Sequence, residues 1–399
     1  MELGYGVIVI VRSKVLPARY VEGESVETPD ASKMNSRERF LIALRGGQPD
    51  RVPLFEYHFG PTFIEAVLGQ PASYYHNVDD EVAVARAVGL DMVWTAPLGF
   101  MGFANIQLHG ERYQDEWSIW WGTNLSSWPA GWPEMEVVKS RKDWRKLKVP
   151  DPDLPIRFEQ PRRAVELAAG ELAVVGGVRG PFSSVWMLAG LVNIGLWIYD
   201  EPDLLEDMLR EMAHWNAQLG LNMIHAGVDA IVIHDDWGMN KSTFIKPDDW
   251  RRFVLPYIAK EVEILASTGT PVILHSDGNL NAILDDIVQL GIAALNPLQR
   301  GADMDLASVK AKYGNRLCLI GNLSTTTTLA RGTLEDVERE TLECLRDGAL
   351  GGGYIFAPDH SYHSGIPVAN IWCALQTAKK YGAYPLDMEA IRTRLAELR

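Results

Sequence analysis

Eight short apolar runs, at 52–57, 92–95, 172–178, 230–233, 272–274, 293–296, 317–320 and 354–356, alternate with helix-length stretches. Apolar on both faces, each run reads as a buried parallel strand, and their alternation with helices is the pattern of βα units. Eight such units favour a single α/β domain, a (β/α)8 TIM barrel, over an open sheet. Two intervening helices are well marked. Pro247 sits at a first-turn position before Asp248 and Asp249, and Trp250, Phe253, Val254, Tyr257 and Ile258 then follow the stripe of a core-facing helix. Pro202 opens another, with Leu204, Leu205, Met208, Leu209 and Met212 on one face. Between the second and third runs, the alternation from Gly110 to Gly122 predicts a β-hairpin insertion. Six of the chain's 13 tryptophans (Trp117, Trp120, Trp121, Trp128, Trp132 and Trp144) lie in or just after it. It is therefore expected to act as a lid, with Trp117 a candidate substrate contact.

Three runs lead straight into titratable side chains. Ala230 to Ile233 precedes His234-Asp235-Asp236-Trp237; Pro271 to Leu274 precedes His275-Ser276-Asp277-Gly278-Asn279; Gly353 to Phe356 is followed by Asp359-His360. Such folds build their sites at the carboxyl ends of the strands, so these clusters are expected to converge on one pocket. The catalytic candidates are His234, Asp235 and Asp236, with Arg179 after the third run. The substrate-binding candidates are Tyr57, His58, Trp94, Asn322 and Asp359. Blander readings stand beside these: Asp277 or Asn279 as a helix cap, Asp235 and Asp236 paired with Lys241 or Lys246, and His234 as a core imidazole. His76, His109, His214 and His225 read as structural, and His363 as a surface residue.

Charge and cysteine usage narrow the class. A net charge of −14 and a pI near 5.2 argue against nucleic acid or an anionic membrane as a partner. Cys318, Cys344 and Cys373 are too scattered for a disulfide framework or a CxxC metal site, which points to a reducing, cytoplasmic compartment. The apolar run Val7 to Val11 is too short for a signal peptide or a membrane span. Residues 1–33 read as an N-terminal extension and 34–399 as the barrel, opened by a helix that Ser36 caps. No phosphate-cradling loop and no Gly-x-Ser-x-Gly elbow is present. Thr325 to Thr328 reads as a loop.

The stretch Met34-Asn35-Ser36-Arg37-Glu38 through Asp50-Arg51-Val52-Pro53 resembles the opening of the uroporphyrinogen decarboxylase superfamily. So do His275 to Asn279, Gly321-Asn322, Gly332-Thr333 and the Gly352 to His360 segment with Pro367 and Asn370. The resemblance implies one (β/α)8 barrel and either of two chemistries: tetrapyrrole decarboxylation, or zinc-dependent methyl transfer with corrinoid proteins, coenzyme M or folates. The decarboxylases it resembles carry an arginine-rich loop after the first strand. Here Glu56-Tyr57-His58-Phe59-Gly60-Pro61 holds no arginine, which argues against an octacarboxylate substrate. The methyltransferases it resembles bind zinc through His-x-Cys and a later Cys. In this chain His275 matches the His, Asp277 occupies the first Cys position, and His360 lies at or beside the second. An N/O donor set suits an oxygen-bearing substrate better than a thiol.

These observations favour a methyltransferase of demethylase type. It would move a methyl group from a small O- or N-methylated compound to a corrinoid or tetrahydrofolate acceptor, with a corrinoid protein as the expected partner. A divalent metal, zinc foremost, is assigned to His275, Asp277 and His360, and Asp235 or Asp236 handles the proton. The alternative is decarboxylation of a smaller acid whose carboxylate Arg179 holds. A third reading is a non-catalytic barrel that serves as a binding subunit. A homodimer is compatible with each.

Overall fold

The computed structural model describes residues 34–72, 77–98, 112–122 and 131–398. The expected extension at 1–33, His76, His109 and Trp128 lie outside the described residues. Seven strands form one parallel sheet: β1 (Met92–Thr95), β5 (Ala173–Arg179), β6 (Ala230–His234), β7 (Val272–His275), β8 (Ala294–Asn296), β9 (Cys318–Leu323) and β10 (Tyr354–Pro358), in that order. Every pair in it is parallel. Three short antiparallel strands, β2 (Arg112–Gln114), β3 (Trp120–Gly122) and β4 (Trp132–Pro133), form a separate small sheet.

The first expected strand is not a ladder strand. Leu54 makes an isolated parallel bridge to Phe356 of β10, and the Leu54 carbonyl accepts from Asp91 N–H, just before β1, at 3.1 Å. Both edges of the curled sheet thus bond to one irregular segment. Its irregularity has two local causes. Pro53 has no amide to donate, and the Leu54 N–H donates to the Asp91 carboxylate at 2.8 Å instead of to a strand. Asp91 is fully buried and also accepts from Arg39 (2.7 Å) and Arg51 (2.8 and 2.9 Å). It pins the segment that carries Tyr57.

Period-two alternation splits the strand side chains into two sets. Met92, Val175, Ala230, Val232, Ile273, Ala294 and Ile320 share one buried cluster with Phe55 and Tyr57 inside the curl. Val174, Val178, Ile231, Ile233, Val272 and Leu274 face the other way, into the helical layer. That layer includes Pro202–His225, whose Leu204, Leu205, Met208, Leu209 and Met212 are all buried. The stripe expected after Pro247 is split into Pro247–Phe253 and Leu255–Ala266, because Pro256 removes a helical N–H. Asn35, not Ser36, caps the first helix, through a reciprocal box with Glu38. The threonine run is one π-turn, Thr325–Leu329, rather than a loop. Pro181–Asp200 is long and apolar enough by composition to cross a membrane, yet 56% of its apolar window is buried in the fold, as in a core helix.

Candidate active site at the strand ends

Alternation carries inward-facing residues to the carboxyl ends of neighbouring strands. Arg179 of β5 is in register with His234 of β6, and His234 with His275 of β7. His275 is in turn in register with Asn296 of β8. Residues in register on a sheet point to the same face, so these four form a row above the apolar interior. The His234 and His275 rings lie 4.9 Å apart, and Tyr57 approaches both, at 5.0 and 5.4 Å. Trp94 backs the row, 6.2 Å from Tyr57 and 6.0 Å from His234. It fits because Gly177 faces it: a Cβ there would lie 2.6 Å from the indole Nε1.

The row orients His275. Its Nδ1 is 2.6 Å from Asn296 Oδ1, which also accepts from the Tyr57 hydroxyl at 2.8 Å. An amide oxygen only accepts, so Nδ1 carries the proton and the lone pair of Nε2 is directed outward. Nε2 lies 3.7 Å from Asp236 Oδ1 and 3.8 Å from Asp277 Oδ2. The three candidate ligand atoms all lie within 4.8 Å of one another. Asp277 Oδ1 is buried with no hydrogen-bond partner among the described residues. Burial pushes the Asp277 carboxyl up, with Asp236 adding to the effect and His275 and His360 opposing it. A histidine tautomer fixed from behind, two facing carboxylates and an orphaned buried oxygen fit a divalent cation with N/O donors.

Two titratable groups flank this centre. Burial pushes the Arg179 guanidinium down to about 10, against the pull of Asp236, Tyr113 and Asp235. Burial also holds His234 well below its ordinary value, helped by His275 and Arg179, so its ring is neutral near pH 7.

Six of the expected site residues point elsewhere. Asp235 is one residue out of phase with His234 and faces the helical layer. It is fully buried and accepts from Ser183 N–H at 2.6 Å and Trp237 Nε1 at 2.8 Å. Burial lifts its carboxyl to about 7, but it does not face the row; Asp236 does. Asn322 leaves the alternation at a φ of 125° and gives its amide to the carbonyls of Leu298 and Met304. Asp359 caps the π-turn, accepting from Thr325 N–H at 2.8 Å and Thr325 Oγ1 at 2.7 Å. His58 turns to Glu81 at 3.5 Å and Trp94. Trp117 has no exposed surface and packs edge-on against Trp215, 4.8 Å away, so it is structural cover rather than a substrate contact. His360 is exposed, and its Nδ1 accepts from Ser361 N–H at 2.9 Å. It lies near Asp277 but outside the three-ligand group, where Asp236 takes its place. Sequence reasoning missed Asn296, although it ends the 293–296 run as His275 ends its own.

The profile of the family described as Uroporphyrinogen decarboxylase (URO-D) matches residues 122–381. The chain belongs to the uroporphyrinogen decarboxylase family. It is 26% identical over 261 residues to the uroporphyrinogen decarboxylase of Chlorobaculum parvum, covering 62% of this chain and 71% of that one. It is 28% identical over 262 residues to that of Chlorobium limicola, with the same coverage. It is also 26% identical over 230 residues to the methylcobamide:CoM methyltransferase MtaA of Methanosarcina barkeri, covering 58% of this chain and 65% of that one. In three dimensions it is similar to a methyltransferase from Methanosarcina mazei, with a TM-score of 0.70, 22% identity, and coverage of 88% of this chain and 99% of that one. That likeness fixes the fold. Members of this family are enzymes, decarboxylases or methyltransferases.

Proposed function

We propose that this member of the family is a methyltransferase. It takes a methyl group from a small O- or N-methylated compound and passes it to a corrinoid or folate acceptor, with a corrinoid protein as partner in a cytoplasmic setting. In this reading segment 52–59 is the eighth stave of a barrel whose carboxyl face holds the site. The observation that carries the proposal is the 2.6 Å contact of His275 Nδ1 with Asn296, which leaves Nε2 facing Asp236 and Asp277. Those three residues would hold a divalent metal, zinc by donor type, which when bound supplies Lewis acidity to the leaving heteroatom.

The chain's own residues do the rest. Asn296 and Tyr57 hold the imidazole in one tautomer. Neutral His234 and the rings of Tyr57 and Trp94 give the substrate a flat, largely apolar floor and exclude water from it. As the methyl group departs, its former oxygen or nitrogen gains electron density, which the Lewis acid beside it would offset. Asp236 and Asp277, as its ligands, would stay ionised.

The segment after Pro53 holds no arginine between Leu54 and Pro61, which weighs against a tetrapyrrole octaacid. Decarboxylation of a smaller acid remains the second reading, favoured by Arg179 at the row and by the names of the sequence relatives.

The deciding experiment supplies cob(I)alamin and a panel of O- and N-methylated compounds to the zinc-loaded protein. Methylcobalamin formation is followed by absorbance. Turnover that requires zinc and is lost in His275→Ala supports the proposal. Release of carbon dioxide from a carboxylate substrate by zinc-free protein, with no methyl transfer, overturns it in favour of decarboxylation.

A further inference from the structure

The Asp277 carboxylate is aimed by its backbone, and both peptide groups that flank its Cα are held. The Asp277 N–H donates to Asp236 Oδ1 at 3.3 Å. The next amide, the N–H of buried Gly278, donates to Gln299 Oε1 at 2.9 Å. The other edge of that peptide lies against Gly238. A Cβ on Gly238 would sit 2.4 Å from the Asp277 carbonyl oxygen, and one on Gly278 would sit 2.3 Å from the Gly238 carbonyl carbon. Gly278 also has a φ of 85°, a left-handed conformation that glycine adopts without steric cost. Peptide groups are planar, so pinning both of them fixes φ and ψ of Asp277 and leaves only its side-chain torsions.

Gln299 is itself held. It follows the end of β8 by three residues, and its carbonyl accepts from the N–H groups of Ala302 at 3.0 Å and Met304 at 3.4 Å. Only the oxygen of its side-chain amide accepts hydrogen bonds, so the contact with Gly278 also fixes which way that amide faces. The same stretch begins at Asn296, which holds His275. β8 and the turn after it therefore stand behind both candidate ligands that β7 and its loop contribute.

We propose that Gln299 is a positioning residue of the candidate metal centre: by holding the Asp277–Gly278 peptide, it keeps the Asp277 carboxylate facing His275 Nε2, 3.8 Å away. The inference rests on the metal-assisted reading for what Asp277 binds, whereas the hold on the peptide is independent of it. A buried N–H deprived of its acceptor turns toward another one or toward water. Without the Gln299 oxygen the Asp277–Gly278 peptide is free to rotate, ψ of Asp277 changes with it, and the carboxylate swings away from the other two donors. Metal sites depend on such support behind their ligands, since a cation binds tightly only where all donors converge.

Zinc affinity of the full chain, read by competition with a chromogenic chelator, tests this as a double-mutant cycle. Gln299→Met, of similar length but without the amide oxygen, should weaken zinc binding about tenfold. In an Asp277→Asn background the same change should weaken it by less than about twofold, because the carboxylate it positions is already gone. Unchanged affinity in Gln299→Met overturns the proposal. So does an equal loss in both backgrounds, the mark of a general loosening of the fold. Should Gln299→Met fail to fold, Gln299→Asn, one methylene too short to reach Gly278, takes its place with the same expected outcomes. Hydrogen exchange of segment 276–280 in chelator-treated protein reads the hold without metal: Gln299→Met should speed it about tenfold relative to the rest of the chain. Faster exchange in a protein that binds no zinc supports the hold and overturns only the metal-assisted reading. Unchanged exchange overturns the hold itself.

Discussion

His275 Nδ1 lies 2.6 Å from Asn296 Oδ1, across two neighbouring parallel strands whose residues are in register. The contact decides which ring nitrogen is free, and so which pair of carboxylates the imidazole meets. Tyr57 reinforces it by donating to the same oxygen from a segment more than two hundred residues away in the chain. Asn296 therefore acts as a positioning residue behind the candidate metal ligand.

Replacing Asn296 with Ala should leave the fold intact and weaken zinc binding by roughly 10- to 100-fold, the usual effect of removing a partner behind a histidine ligand. Competition with a chromogenic chelator measures it. Unchanged affinity would show that His275 needs no orientation from behind.

The ligand set is open to direct comparison. Asp236→Asn should lower zinc affinity sharply, whereas His360→Ala should change it by less than about twofold, because His360 is exposed and stands outside the three-ligand group. The opposite ranking in the same titration would restore His360 as a ligand and remove Asp236.

Asp91 anchors the site from below. Its buried carboxylate faces Arg39 and Arg51 and accepts the Leu54 N–H. Asp91→Ala leaves both guanidinium groups without that partner and should cost about 3–5 kcal/mol of unfolding free energy, read by urea denaturation. A loss below about 1 kcal/mol would mean that Asp50 alone satisfies Arg39.

Glu261 makes stability depend on pH. It is fully buried and neither carboxyl oxygen has a hydrogen-bond partner among the described residues. Burial, and then the nearby Asp235, hold its carboxyl well above the ordinary range. In the unfolded chain it ionises near its ordinary value of about 4.3. Between that pH and its folded value the native state holds one more proton than the unfolded state. Its contribution is therefore complete below about pH 4.3 and declines as pH rises, by at most about 1.4 kcal/mol per unit. Glu261→Gln removes the titration, so its unfolding free energy should gain on the wild type between pH 5 and pH 7. Parallel slopes for the two proteins would rule the effect out.

The apolar runs were legible because a strand buried on both faces must be apolar throughout, and seven of the eight are ladder strands within a few residues of the sequence reading. Their polar ends were legible for the same reason: a titratable side chain directly after such a run has left the core. The first run misled, since the carboxylate that replaces its ladder partner comes from Asp91, which no local pattern reveals.

What the sequence by itself determined is therefore the strand framework and the polar row at its ends, from Arg179 through His234 to His275. Only the tertiary structure decided between neighbours. Asp235 and Asp236 are chemically alike and adjacent, yet Asp235 is claimed by Ser183 N–H and Trp237 Nε1 on the helical side while Asp236 faces His275. Asn322 and Asp359 likewise went to backbone groups of other loops, and Asn296 gained its role from the ring beside it. Composition and alternation are local, whereas the direction of a side chain at a strand end is set by whichever donor or acceptor another element brings within about 3 Å.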